Sequence, residues 1–526
     1  MKRFADLLEA LVHAPSRTAK LRLLEGYFRA APDPDRGWAL AALAGTMDLP
    51  SITPSLIRGL AEARVDPVLF RLSHDFVGDL AETAALIWPD AGTRVDPPAL
   101  GAAVDRLRGL GRADRGPVLA AMFDAMDPST RFALIKLCTG ALRVGVSGGL
   151  ARQALARIGG VDPAAIEELW HGLTPPYVDL FAWLEGGAAP QVDAELAFRP
   201  MMLAHPLLEA SIPAMPRAEY AAEVKWDGAR IEAAASASGR RLFSRTGDDI
   251  GAAFPDLLAA MDWHGCVDGE LLVMRGDAVA PFSDLQTRLN RKTPTRKLLA
   301  ELPAIIMVYD LLHDGVRDLR PLPWHARRAA LEAWMARVRP ARLRLSTVLA
   351  DDGWDALAAR REAARGAEEE GVMIKRCDAP YLAGRPAGQW FKWKRAPLTA
   401  DCVLMYAQRG HGRRSSFYSD FTFGVWADGP EGPYLAPVGK AYSGFTDAEL
   451  AKLDKWVRAH LTERYGPVRG VVPDLVLEVA FDALAPSPRR KSGVAMRFPR
   501  IARIRWDKPA EEADRLETLR AMAGLG

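Results

Sequence analysis

The spacing of apolar residues changes twice along this chain, and these changes constrain the fold more than any other feature. Up to about residue 172 the apolar residues recur at helical spacing, as Leu7, Leu8 and Leu11 illustrate, and Ser16 is a candidate N-cap for a second helix. From about residue 205, short apolar runs typical of strands alternate with charged helical segments. A chain of 526 residues also exceeds what one hydrophobic core supports. We therefore predict a multidomain protein.

The patterns predict domains of three different fold classes. Residues 1–172 form an all-α domain, and residues 173–204, which contain Pro-Pro and Gly-Gly pairs, form a linker. Residues 205–396 mix strand-like runs such as VDGELLV with helical segments, and therefore form an α+β domain. Residues 397–526 contain alternating strands, among them DLVLEVAF, and form a small C-terminal β-barrel, with the OB type that binds nucleic acids among the candidates.

Charge and cysteine content limit the classes of partner and location. The net charge is only +3, so total charge does not indicate a polyanionic partner, although residues 409–414 and 489–508 are locally basic. Such patches suit a phosphate backbone and are equally typical of a solvated surface. The four cysteines form no CxxC pair, which argues against a zinc ribbon or a disulfide framework. The sequence has no signal-peptide core and no apolar run that spans a bilayer, so we predict a cytoplasmic protein without a membrane partner.

The central candidate for chemistry is the lysine in EVKWDGAR, residues 223–230. Asp227-Gly228 is a strong turn signal after a short strand, so Lys225 lies at a strand-to-turn junction from which it can reach a pocket. Most lysines are solvated surface charges. A nucleophilic lysine needs a lowered pKa, which cationic neighbours or a bound metal provide. The residues elsewhere in the chain decide between these two possibilities.

Other stretches carry the carboxylates and cations that nucleotidyl transfer requires. Glu270 in VDGEL and Glu370 in EEEGVMIK suit a hard cation such as Mg²⁺, although each is also compatible with an ordinary surface acid. Lys392 and Lys394 in FKWKRA lie on one side of a strand, with Trp393 directed towards a core. The two lysines form either a phosphate clamp, which Lys375 could join, or an exposed strand face.

Two further side chains suit a nucleotide ligand. Tyr309, within the apolar run MVYDLL, either packs in a core or offers a flat surface to a purine. Arg245, in SRTG, lies beside a turn and suits bidentate contact with a phosphate group.

Taken together and in order, these stretches resemble the motif set of ATP-dependent DNA ligases: EVKWDGAR, SRTG, VDGEL, VYDLL, EGVMIK, WFKWK and RFPRIARIRWDK. The KxDG element alone is a weak signal, whereas the ordered series, from about residue 200 to 508, is very specific. ALRVGVSGGLARQALA, residues 141–156, is similar to a segment of that family's helical DNA-binding domain, and RPMMLA, residues 199–204, to the entry into its catalytic domain. The resemblance implies a helical DNA-binding domain, an adenylation (nucleotidyltransferase) domain and an OB-fold domain.

The resemblance also implies a role for each candidate residue. Lys225 becomes covalently linked to AMP, and Glu223 accepts a hydrogen bond from the adenine amino group. The remaining roles are contact with the nucleotide or the nick phosphate (Arg230, Arg245), contact with the ribose or the metal (Glu270), stacking on adenine (Tyr309), metal binding (Glu370), binding of the α-phosphate (Lys392, Lys394) and orientation of pyrophosphate (Arg505, Asp507, Lys508). Pro386 stands where the family usually has an arginine, and Arg385 is the candidate that replaces it in nucleotide binding.

The implied reaction seals nicks in three steps. Lys225 attacks the α-phosphate of ATP and releases pyrophosphate, AMP then moves to the 5′-phosphate of a nick, and the 3′-hydroxyl finally displaces AMP. The implied cofactors are ATP and Mg²⁺, with Mn²⁺ as an alternative. The implied partner is nicked double-stranded DNA, which a monomer encircles.

Several other protein classes share parts of this pattern. RNA ligases and RNA-capping guanylyltransferases also resemble the chain at KxDG, but the long helical N-terminal region and RFPRIARIRWDK favour DNA ligation. NAD is not favoured as the adenylate donor, because the cysteines do not cluster as in the zinc module of NAD-dependent ligases. A catalytically silent nucleic-acid-binding protein is expected to lack Lys225, Glu270 or Lys392, and all three are present.

Overall fold

A computed structural model describes residues 1–49, 52–90, 92, 95–140, 142–291, 293–350, 352–364, 368–410, 416–487 and 490–524. The chain divides into two compact units. Unit 1 comprises Met1–Ala280, Asp284–Asp351 and Met373–Lys392, and unit 2 comprises Pro281–Ser283, Asp352–Val372 and Trp393–Gly526. Among the described residues, no helix has both the length and the apolar character needed to cross a membrane.

Unit 1 begins with a helical region. Its helices are α1 (Lys2–His13), α2 (Arg17–Ala30), α3 (Asp35–Ala44), α4 (Pro54–Glu62), α5 (Pro67–Val77), α6 (Leu80–Ile87), α7 (Leu100–Arg108), α8 (Arg115–Asp124), α9 (Pro128–Thr139), α10 (Gly148–Gly159), α11 (Pro163–Trp170) and α12 (Val178–Leu184). Their apolar faces share one core, in which Leu7, Leu8 and Leu11 of α1 are buried. The Ser16 side chain accepts a hydrogen bond from the backbone N–H of Ala19, which confirms the predicted cap of α2.

The rest of unit 1 is built on sheets. The strands are β1 (His205–Pro206), β2 (Tyr220–Trp226), β3 (Ala229–Ser236), β4 (Gly239–Ser244), β5 (Gly265–Arg275), β6 (Ala278–Val279), β7 (Ala304–His313), β8 (Leu343–Leu345), β9 (Glu369–Arg376) and β10 (Trp390–Lys394). A six-stranded sheet has the order β4-β3-β5-β7-β8, with β6 on β5, and a four-stranded sheet has the order β1-β10-β9-β2. The boundary between the units falls within β9 and β10.

Five helices of the described residues accompany these strands. They are α13 (Pro255–Ala260), α14 (Phe282–Leu289), α15 (Arg296–Glu301), α16 (Trp324–Val338) and α17 (Gly353–Ala363). In unit 1, α16 packs on β7, which is a central strand of the six-stranded sheet. This mixture of helices and sheets agrees with the predicted α+β composition.

Unit 2 contains a curled, mainly antiparallel sheet. Its remaining elements are β11 (Leu398–Arg409), β12 (Tyr418–Gly429), β13 (Gly432–Ala441), α18 (Asp447–Ala459), β14 (Leu461–Tyr465), β15 (Val468–Val471), β16 (Val476–Phe481), β17 (Ala483–Pro486), β18 (Val494–Arg497), β19 (Arg500–Arg505) and α19 (Leu516–Met522). The sheet order is β13-β12-β11-β15-β14, and β16 pairs with both β11 and β19. Because β11 pairs with three strands along its length, the sheet curls around a core of its own.

Candidate active site

Lys225 lies at the junction that the sequence predicts, at the end of β2 before the turn at Asp227-Gly228. Its side chain is partly buried, and Val224 beside it is buried. The turn needs glycine, because a Cβ on Gly228 would lie 2.6 Å from the carbonyl oxygen of Leu271 and 2.7 Å from Cγ of Glu270. The turn after Lys225 is therefore packed against the part of β5 that carries Glu270.

A buried ion pair lies two residues before Lys225 on the same strand. Lys375 Nζ donates a hydrogen bond of 2.9 Å to Glu223 Oε2, and both side chains are 1% exposed. Glu223 Oε1 is buried and has no hydrogen-bond partner among the described residues, and Arg328 Nη1 lies 4.0 Å from it. Burial raises the pKa of Glu223, and Lys375 opposes that rise. An unpartnered buried carboxylate oxygen is an acceptor available to an N–H group of a ligand.

Aromatic rings enclose the ammonium group of Lys375. Its Nζ lies 4.4 Å from the ring centroid of Tyr309 and 4.5 Å from that of Trp390. The sequence suggested that Lys375 could join a phosphate clamp with Lys392 and Lys394. The structure places the Lys375 ammonium group beside Glu223, where both side chains are buried.

Tyr309 owes its position to an irregularity in β7. Asp268 of β5 pairs with Asp310 and Gly269 pairs with Val308, so Tyr309 is an extra residue opposite β5. Such bulges redirect a side chain relative to the regular strand. Burial raises the pKa of the Tyr309 hydroxyl well above its ordinary value. The ring is therefore a neutral, partly buried surface beside Lys375.

Arg230 is engaged by acceptors of the protein itself. Its Nε and Nη2 donate to the two carboxylate oxygens of Asp268 at 3.0 and 2.6 Å, and its Nη1 donates to the carbonyl oxygen of Met202 at 2.6 Å. Tyr381 donates to the same carboxylate at 2.8 Å. Although burial alone would lower the pKa of Arg230, Asp268 raises it. The sequence reasoning missed Asp268, and its signal is the two-residue spacing to Glu270, which puts both on one face of β5.

Arg245 and Arg385 do not contribute to the buried group around Glu223. Both side chains are exposed. Arg245 lies in a tight turn closed by a 2.8 Å hydrogen bond from the Ser244 N–H to the Asp248 carbonyl. Arg385 lies in an exposed segment and its carbonyl oxygen is 3.3 Å from His205 Nε2.

In unit 2, a carboxylate and an ammonium group of the predicted site neutralise each other. Lys394 Nζ lies 3.0 Å from Glu370 Oε2 and 3.7 Å from Asp482 Oδ2. Arg500 Nη1 in turn lies 3.3 Å from Asp482 Oδ1. Trp393 is buried, as predicted. Asp482 was not identified from the sequence, because it lies in the segment after β16, far from Lys394 along the chain.

The C-terminal candidates form a second cluster within unit 2. Arg505 donates to Asp507 through Nε at 3.1 Å and Nη2 at 3.0 Å, and Lys508 Nζ donates to Asp401 Oδ2 at 2.8 Å. Arg505 Nη1 also lies 3.4 Å from Asp401. The hydrogen bond from Arg505 lowers the pKa of Asp507 to about 2. Asp401 is the member of this cluster that the sequence did not predict. Of the basic and family-like segments, Ala141, residues 411–414 and Arg489 lie outside the described residues.

The candidate carboxylates suit a mode of metal binding in which the protein supplies only one or two of the ligands. Among the described residues, no group of three or more His, Cys, Asp or Glu side chains is arranged to hold a metal ion. Mg²⁺ is commonly held by one or two carboxylates together with substrate phosphates and waters. Glu270 in unit 1 and Glu370 in unit 2 each carry a carboxylate of the right chemistry for that mode, which does not require a complete protein cage.

Known proteins match the chain over its whole length. The family described as "ATP dependent DNA ligase domain" matches residues 201–394, and "ATP dependent DNA ligase C terminal region" matches residues 414–508. A probable DNA ligase of Anaeromyxobacter sp. (strain K) is 34% identical, covering 100% of this chain and 99% of its own length. A probable DNA ligase of Streptomyces avermitilis is 31% identical, with coverages of 99% and 98%. The solved structure described as Pmar-Lig_Pre has a TM-score of 0.59 and 16% identity over 96% of this chain and 99% of its own, a likeness of fold alone.

Proposed function

This chain belongs to the ATP-dependent DNA ligases, and from that premise we propose which of its residues perform the chemistry. The enzyme uses ATP and joins DNA through an adenylate intermediate. We propose that the attacking atom is Lys225 Nζ, which forms a bond to the α-phosphorus of ATP while the bond to the pyrophosphate leaving group breaks. The lysine loses a proton in this step, and the product is a phosphoramide-linked AMP.

The unpartnered carboxylate oxygen of Glu223 is the observation that carries this proposal. Glu223 precedes Lys225 by two residues on β2, so a base bound at Glu223 Oε1 is next to the strand end that carries the nucleophile. The adenine amino group donates to Oε1, while Lys375 holds the other oxygen at 2.9 Å and favours the ionised carboxylate. Guanine presents a carbonyl oxygen at the same position of its ring, which the carboxylate repels. We therefore expect ATP to be strongly preferred over GTP.

The neighbouring side chains complete the nucleotide site. Tyr309 stacks on the adenine ring. The Lys375 ammonium group, 4.4 Å from the centroid of the tyrosine ring, stabilises the orientation of that ring. Glu270 contacts the ribose or the metal, close to the turn that follows Lys225. Arg230, fixed by Asp268, contributes a rigid positive charge to the nucleotide or the nick phosphate.

Phosphate binding exchanges one set of charge pairs for another. Lys392 and Lys394 bind the α-phosphate, and Glu370 holds Mg²⁺, with Mn²⁺ as an alternative. The Lys394–Glu370 pair at 3.0 Å supports this assignment. When the substrate and metal bind, a phosphate replaces Glu370 as the negative partner of Lys394, and the metal replaces Lys394 as the positive partner of Glu370. A metal held by Glu370 would supply positive charge that neutralises the phosphate oxygens. Arg505, Asp507 and Lys508 orient the pyrophosphate, and Arg245 and Arg385 contribute further nucleotide or nick contacts.

The polymer substrate in this proposal is nicked double-stranded DNA, which a monomer encircles. Residues 1–172 form the DNA-binding domain, residues 205–396 the adenylation domain and residues 397–526 the OB-fold domain, joined by a linker at residues 173–204. AMP passes from Lys225 to the 5′-phosphate of the nick, and the 3′-hydroxyl then attacks that phosphorus and releases AMP. The family matches at residues 201–394 and 414–508 and the curled sheet of unit 2 support the last two parts of this division.

The test is transfer of label from ATP carrying a labelled α-phosphate, with Mg²⁺, followed by denaturing gel electrophoresis. We expect label on the wild-type protein from ATP but not from labelled NAD or GTP, and loss of that label when nicked DNA is added and sealed. Lys225→Ala is expected to take no label while remaining folded by circular dichroism. Lys297→Ala, which removes an exposed lysine paired with Glu301, is the control that retains labelling.

Other outcomes have definite meanings. Label on Lys225→Ala would show that another residue carries AMP. Label that leaves only in the presence of nicked RNA would transfer the assignment to RNA repair.

A further inference from the structure

The hairpin of β14 and β15 is the exposed edge of the sheet in unit 2. All five residues of β14 are exposed, and the sheet order ends with β14 beside β15. The hairpin turns at Gly466-Pro467, where Gly466 has a φ of 58°, as the first central residue of a tight hairpin turn requires. Strand β14 therefore presents its side chains to solvent, while β15 connects it to the core of unit 2.

Two arginines face each other across this hairpin. Arg464 and Arg469 are directly paired in the β14–β15 register, so both guanidinium groups emerge on the same face. Like charges in this arrangement destabilise a strand pair. Neither arginine forms an ion pair with a carboxylate in the part of the chain that the structure describes. Both donate instead to the carbonyl oxygen of Gly466, at 3.4 and 2.7 Å.

The hairpin's own acid does not relieve this repulsion. Glu463 is adjacent to Arg464 in β14, so its side chain lies on the opposite face. There it accepts a hydrogen bond from the hydroxyl group of Tyr465. One face of the hairpin thus carries two cations and the other carries the acid.

A third guanidinium extends the basic face onto the neighbouring strand. Ala407 of β11 pairs with Arg469, and the two-residue period puts Arg409 on the same side as Ala407. Arg409 is exposed and lies over the ring of Tyr418, with 5.9 Å between its Cζ atom and the ring centroid. It too lacks an ion pair with any described carboxylate. Three arginines on adjacent strands therefore share one face, and none of them forms an ion pair with a carboxylate of the described residues.

We propose that Arg409, Arg464 and Arg469 form a binding surface for the phosphate backbone of the DNA, separate from the residues that handle ATP. This inference rests on the proposed function, since it takes duplex DNA as the substrate. Phosphate oxygens suit the planar guanidinium fork and remove the repulsion between Arg464 and Arg469. Such contacts fix the position of the protein on the duplex and carry no sequence preference.

The test compares nick affinity across salt concentrations, with the metal chelated so that no sealing occurs. Arg464→Gln/Arg469→Gln is expected to reduce the slope of log K against log salt by about 1.8, because each lost phosphate contact contributes about 0.9. The loss of affinity between roughly 50 and 200 mM salt then becomes about tenfold smaller than for the wild type. AMP attachment from ATP is expected to remain at the wild-type level.

Two matched variants make the result specific. Arg464→Lys/Arg469→Lys keeps both charges and is expected to keep the wild-type slope. Arg515→Gln/Lys297→Gln removes two exposed charges that already have partners, Asp428 at 2.7 Å and Glu301 at 3.7 Å, and is expected to leave the slope unchanged. Thermal melting of each variant checks that the fold is intact.

A wild-type slope in Arg464→Gln/Arg469→Gln overturns the proposed surface. So does an equal reduction in the Arg515→Gln/Lys297→Gln control, because the effect would then follow net charge. These failures are distinct from failure of the proposed function, in which the wild-type protein takes no label from ATP or seals no nicked duplex.

Discussion

Glu232 is a single carboxyl group through which pH acts on the stability of unit 1. It is fully buried on β3, accepts hydrogen bonds of 2.9 and 3.2 Å from the Arg199 N–H, and burial raises its pKa to about 8. In the unfolded chain its pKa is near the ordinary 4.5. The folded state therefore keeps a proton that the unfolded state loses, so this contribution to stability is complete below pH 4.5 and disappears as the pH rises through 8.

Glu232→Gln removes this titration while keeping the size of the side chain. We expect the free energy of unfolding of the wild type to fall, relative to that of Glu232→Gln, by on the order of 2–4 kcal/mol between pH 5 and pH 8.5. Urea unfolding at both pH values measures the difference. Parallel pH profiles for the two proteins would mean that Glu232 is ionised in the folded state throughout.

At the same scale, the sequence predicts side chains near a motif better than it predicts their partners. The turn after Lys225 follows from Asp227-Gly228 alone, because the backbone preferences of those two residues are local. The pairing of Glu223 with Lys375 joins residues far apart in sequence, and strand alternation left the buried face of β9 undetermined. Asp482 escaped detection for the same reason, since only folding brings it to Lys394.

Helix α16 is attached to β7 by a buried ion pair. Arg327 donates to both carboxylate oxygens of Asp310 at 2.9 Å, and the two side chains are 0% and 1% exposed. Arg327→Met leaves the carboxylate buried without its cation, which is expected to cost about 3–5 kcal/mol. The exposed Arg337 lies on the same helix, so Arg337→Met is the matched control and is expected to change stability by less than about 0.5 kcal/mol.

Chemical denaturation of both variants measures this difference. Asp310 directly follows Tyr309, so the same samples also report whether loosening α16 lowers AMP attachment. Equal stabilities of the Arg327 and Arg337 variants would mean that the Asp310 carboxyl group is protonated or reached by water when its partner is absent.

The sequence predicts a strand and its buried face correctly where the alternation of apolar residues reflects packing against one core. Leu477, Val479 and Phe481 of β16 are buried in the main core of unit 2, as their alternation predicts. Val476, on the other face, is buried as well, because it packs with Ala510 and Ala513 from the C-terminal segment. Alternation shows which residues share a face. It does not show that a later segment covers the opposite face.

For the whole molecule, the near balance of charge makes salt dependence informative. The chain has 69 Lys and Arg against 66 Asp and Glu, so general attraction to a polyanion is weak. In the proposed function, a monomer encircles a nicked duplex and contacts its phosphates through local groups of cations. We expect one protein per nick, and log K falling linearly with log salt at a slope of about −5 or steeper, as six or more phosphate contacts require.

Analytical ultracentrifugation with a labelled nicked duplex gives the stoichiometry, and titrations at several salt concentrations give the slope. An intact duplex of the same sequence separates recognition of the nick from binding to DNA in general. Affinity that does not change with salt would exclude a clamp that binds the backbone, and two proteins per nick would exclude a monomer. A slope near −2 with one protein per nick would restrict the contact to a single local surface, because each phosphate contributes only about 0.9.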